Sequence, residues 1–67
     1  MPIPRENKHE VMTTTEVAKY LRISTESVYR LVRRKEIPVT RIGRQLRFRR
    51  GTLEKWLVTA ERNNYKS

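Results

Sequence analysis

Arginine is the residue type of this chain with the most chemistry to offer. The stretch TRIGRQLRFRR, residues 40–50, places five arginines in eleven positions, interleaved with Ile42, Leu46 and Phe48. A guanidinium is planar, permanently charged and able to fork onto two oxygens, so it suits phosphates and the acceptor edges of bases. Arg30, Arg33, Arg34 and Lys35 form a second basic group just upstream. Residues 30–50 hold nine bases and one acid, a net +8, leaving +1 for the other 46 residues of a chain carrying +9. A cationic region this concentrated points to a polyanion, nucleic acid before an anionic membrane.

Other chemistry is missing from the sequence. It has no cysteine and no aspartate, and its one histidine, His9, lies in a polar N-terminal stretch. A Ser-His-Asp triad, an EF-hand loop and a thiolate or histidine zinc cluster within one chain are thereby excluded. We expect no catalytic residue, no metal site and no cofactor. Neither a signal-peptide core nor an apolar run of membrane-spanning length is visible. The expected location is the cytoplasm, in association with the nucleoid.

What must position the arginines is a small scaffold. We expect a flexible leader over residues 1–11, one folded domain over 12–62 and a short tail over 63–67. A chain of 67 residues sits near the lower limit for independent folding, so marginal stability is expected. The candidate core is Val17, Ala18, Leu21, Ile23, Val28, Leu31, Val32, Ile42, Leu46, Phe48, Leu53, Trp56 and Leu57.

Thr13 and Glu16 have the spacing of a capping box, and Val17, Ala18 and Leu21 behind them share a helical face. A helix from about Thr14 to Leu21 is expected. Ser24 is a good N-cap for the next, Glu26 suits its positive start, and Arg33, Arg34 and Lys35 suit its end. Val28, Leu31 and Val32 are its buried stripe, and Pro38 ends the run. Only Arg22, Ile23 and Ser24 separate the two helices, which is helix-turn-helix spacing. Arg22 falls where the turn favours glycine, so a strained turn is expected.

The opening stretch reads as a hairpin, since it is rich in β-branched residues and Gly43 interrupts any helix. A two-residue Gly43-Arg44 turn pairs Ile42 with Gln45. A three-residue Gly43-Arg44-Gln45 loop pairs Ile42 with Leu46 and Thr40 with Phe48. We favour the three-residue loop, because it gathers the apolar residues on one face and sets Arg41 with Arg47 on the other. Leu53, Trp56, Leu57 and Ala60 then follow helical spacing, with Gly51 weakening the helix start and Trp56 sealing the core.

Helix–turn–helix, ribbon, helix makes an α+β, mostly α, winged helix-turn-helix. Through "TEVAKYL", "S-x-x-S-V-Y-R-L", "IPVTRIGRQLRF" and "LEKWL" in that order, residues 13–57 resemble the small excisionase-type DNA-binding proteins, relatives of the MerR-like winged helix. The chain departs from their pattern at Arg22 and at Arg49-Arg50-Gly51. The resemblance implies a recombination accessory protein bound to double-stranded DNA, or a small transcriptional regulator. Because one short helix gives limited specificity in so small a chain, further copies side by side on DNA or a partner such as an integrase are expected. No membrane is expected as partner.

In such a fold the second helix enters the major groove. The residues expected to touch DNA from it are Ser24, Thr25, Glu26, Ser27, Tyr29, Arg30, Arg33 and Arg34. From the wing they are Arg41, Arg44, Gln45, Arg47 and Arg49.

Overall fold

The computed structural model describes residues 10–66. Strand β1 (Val11–Met12) leads into helix α1 (Thr14–Leu21) and helix α2 (Thr25–Arg33), followed by the hairpin β2 (Thr40–Ile42) and β3 (Gln45–Arg49) and the closing helix α3 (Arg50–Lys66). Three helices and a three-stranded antiparallel sheet of order β1-β3-β2 make a small, mostly helical α+β winged helix-turn-helix.

Both helix starts are capped by the residues their sequence nominates. The Thr13 hydroxyl accepts from Glu16 N–H at 3.2 Å, and the Glu16 carboxylate accepts from Thr13 N–H at 2.9 Å, closing the capping box. The Ser24 hydroxyl accepts from Ser27 N–H at 3.1 Å.

The helix ends share a second device. After α1, Arg22 N–H donates to Lys19 C=O at 3.2 Å and Ile23 N–H to Ala18 C=O at 3.0 Å. After α2, Lys35 N–H donates to Val32 C=O at 3.0 Å and Glu36 N–H to Leu31 C=O at 2.9 Å. This is the Schellman closure, whose left-handed position glycine usually fills. Here Arg22 (φ 61°) and Lys35 (φ 58°) fill it. A side chain there costs about 1–2 kcal/mol. The strain expected at Arg22 is present.

The core consists of Met12, Val17, Ala18, Val28, Ile37, Phe48 and Leu53, with Tyr20, Leu21, Leu31, Val32, Val39, Leu46 and Trp56 packed around it. The small Ala18 of α1 is buried in it. Trp56 closes the far side and donates its indole N–H to Glu36 C=O at 2.8 Å. Three expected core residues are outside it: Ile42, Ile23 and Leu57 are exposed. Two residues absent from the expected set, Met12 and Ile37, are in it.

Val11, expected in the leader, belongs to a strand. Val11 lies opposite Arg49 and Met12 opposite Phe48, while Arg50 N–H donates to Glu10 C=O at 2.8 Å. Residues 1–9 of the expected leader lie outside the described residues. At the other end helix α3 continues to Lys66, into the segment expected as a tail.

The hairpin corrects the favoured register. Ile42 pairs with Gln45, Arg41 with Leu46 and Thr40 with Arg47, so the turn has two residues. Gly43 has φ 61°, and Arg44 is not among the residues with positive φ. Positive φ at the first turn position alone is the type II′ pattern, whose twist matches that of the flanking strands. That local fit prevails over burying Ile42, which is left 58% exposed.

Candidate nucleic-acid interface

The corrected register redistributes the wing's arginines. Directly opposed residues of an antiparallel pair share a face, and neighbours along a strand alternate. Arg41 therefore lies with Leu46 and Phe48 on the face turned toward the helices. Thr40, Ile42, Gln45, Arg47 and Arg49 lie on the other. Arg41 and Arg47 stand on opposite faces of the ribbon, yet both border the groove between the wing and the helices.

Between the helices and the wing runs an open groove of about 520 Å³. The start of α1 contributes Thr13, Thr14 and Thr15 to its wall, and α2 contributes Tyr29 and Val32. The wing contributes Arg41, Arg44 and Gln45, with Leu46 and Arg47. Five of the thirteen expected site residues thus meet in one concavity: Tyr29, Arg41, Arg44, Gln45 and Arg47. Arg44, in the turn, is exposed.

A second group stands on the outward side of α2. Glu26, Arg30 and Arg33, spaced four and three apart, are all exposed and face away from the stripe of Val28, Leu31 and Val32. Thr25 and Arg34 flank them, also exposed.

Three expected residues are placed differently. The Ser24 hydroxyl caps α2 and also donates to the Ser27 hydroxyl at 3.0 Å, so both serines are engaged within the helix start. Arg49 sits at the base of the wing, 3.6 Å from the Glu10 carboxylate. That pair is solvent-exposed and contributes little to stability.

Sequence reasoning missed the threonine wall of the groove. The capping box fixed Thr13 as the helix entrance, but only the hairpin's position over that entrance makes Thr14 and Thr15 its neighbours.

Among the described residues no group of three or more His, Cys, Asp or Glu could hold a metal ion. No described helix is long and apolar enough to cross a membrane.

A helix-turn-helix with a basic wing facing its second helix defines a class of nucleic-acid-binding domain. The chain belongs to the helix-turn-helix domain family, whose model matches residues 11–58. Two curated relatives, from two strains of Mycobacterium tuberculosis, are each 36% identical over 56 residues, covering 84% of this chain and 72% of theirs. Their names provisionally describe them as DNA-binding proteins. No solved structure matches.

Proposed function

We propose that this chain binds duplex DNA in a sequence-specific manner, with α2 in the major groove and the wing on the adjoining backbone or minor groove. The observation that carries the reading is that Tyr29 of α2 and Arg41 and Arg44 of the wing line one groove, while Glu26, Arg30 and Arg33 occupy the outward side of the same helix. A strand of DNA backbone held between helix and wing would meet the groove. Base edges would meet the outward side.

Roles follow from chemistry. The Arg30 guanidinium can fork onto O6 and N7 of guanine, and the Glu26 carboxylate can accept from N4 of cytosine. The wing arginines suit phosphates, or a narrow A·T-rich minor groove whose potential attracts guanidinium. With roughly six phosphates neutralised, affinity falls about 10³-fold between 50 and 200 mM salt.

One nine-residue helix reads few base pairs. Useful specificity then calls for several copies side by side or for a larger partner already bound. This supports an excisionase-like, MerR-related recombination accessory factor that acts beside an integrase and shapes the DNA.

Competition among labelled duplex, RNA and anionic liposomes tests the binding class, and RNA or lipid displacing the duplex would reject it. A recombination assay on the DNA flanking the encoding gene tests the biological role. Altered promoter output with recombination unchanged would assign the chain to transcriptional regulation instead.

A further inference from the structure

Helix α2 is bracketed by the two strained residues. Arg22 closes α1 three positions before α2 begins, and Lys35 follows α2 two positions after it ends. They are the only non-glycine residues with positive φ among the described residues, and both are cations. Both side chains are exposed, and no carboxylate among the described residues lies within ion-pair distance of either.

The helix field that makes Lys35 suit the end of α2 does not call for a cation at a strained backbone position. The field at a helix C-terminus favours a cation in the last turn. Lys19 already supplies one to α1, and Arg30 and Arg33 to α2, without backbone strain. An outlier kept against a cheaper glycine directs attention to function.

The length of α2 indicates which function. Nine residues of helix span about 13 Å, close to the roughly 12 Å width of the major groove. A helix of that length laid across the groove would bring the residues just beyond its two ends to the opposite phosphate rims. We infer that Arg22 and Lys35 are phosphate anchors, one on each rim, that fix the depth and register of α2. The inference rests on the placement of α2 in the major groove proposed above.

The test compares Arg22→Gly, Lys35→Gly and the double variant with the unaltered chain, in thermal melts and in salt titrations against a mixed-sequence DNA duplex. Each glycine should raise the melting temperature by about 4–8 °C, because the strain is relieved. Each should also lower the slope of log affinity against log salt by about 0.9, because one phosphate contact is lost. Arg22→Lys should keep the slope. Asparagine at either position tolerates the left-handed backbone without charge, and should lower the slope as glycine does.

Raised melting temperatures with unchanged slopes would overturn the anchors and leave the cations to the helix ends alone. If Arg47→Ala lowers the slope while these variants do not, only the anchors fail. If the unaltered chain binds no duplex, the parent reading fails with them.

Discussion

The Arg47 guanidinium is held by Gln45: one Nη donates to the Gln45 side-chain oxygen at 3.0 Å and the other to Leu46 C=O at 2.7 Å. The pairing keeps a half-buried arginine folded along its own strand, with its charge at the side of the wing. A phosphate competing for this guanidinium replaces a neutral acceptor with a charged one, and charge-assisted bonds are the stronger kind. If the wing meets DNA as proposed, its free and bound forms should differ at this contact.

Arg47→Ala should weaken binding to all duplexes alike and lower the salt slope by about one. A salt titration checks this, and an unchanged slope would remove Arg47 from the interface.

Arg30 should behave differently, because it stands on the outward side of α2 rather than on the wing. Arg30→Ala is expected to cost about 1–3 kcal/mol on the best site and to relax preference at one base. Binding selections on randomised duplexes would record the relaxation. Equal losses on every sequence would assign Arg30 to phosphate.

The scaffold makes its own predictions. Thr13→Ala removes one half of the capping box at the entrance to α1, at a cost of about 1 kcal/mol. Chemical denaturation should register that loss, and a wild-type midpoint would mean that the Glu16 half of the box and the strand pairing of Met12 suffice to set the helix start.

Gly51→Ala should go the other way. The added methyl would meet only the Glu10 carboxylate oxygen, at 3.8 Å, an ordinary contact. Replacing a helical glycine gains roughly 0.5–1 kcal/mol. A lowered melting temperature would show that the Glu10–Arg50 junction needs the freedom of glycine.

Much of this architecture is legible in the residues themselves. Thr13 with Glu16, Ser24 ahead of Glu26, and the short link at Arg22-Ile23-Ser24 mark two helices and the tight turn between them, because capping is local chemistry. The hairpin was legible as a hairpin but not in its register. Burial of Ile42 and the geometry of Gly43 pulled in opposite directions, and only assembly decides between them. Strand β1 escaped notice because two residues carry no periodicity. Met12 nevertheless occupies the position before the N-cap, and Val17 the fourth of the helix, the spacing of a hydrophobic staple. That signal was available. Ile37 is buried although it follows the last turn of α2 and lies outside the helical stripe, so helical spacing does not reveal it.

For the candidate site, residue types were readable and their sidedness was not. Glu26, Arg30 and Arg33 follow from helical spacing alone. The placement of Arg41 and Arg47 on opposite faces depends on a one-residue shift of register, which turns the side chains of β2 over relative to those of β3.

The central claim is that a folded wing and the outward side of α2 meet duplex DNA together, as a rigid pair. Amide chemical-shift mapping by NMR during titration with duplex tests it most directly. The expected result is a strand-paired wing in the free protein, with shifts concentrated in residues 25–34 and 40–47 and little change over residues 57–63 of α3. An unstructured wing before and after DNA is added, or shifts that spare α2, would contradict the account.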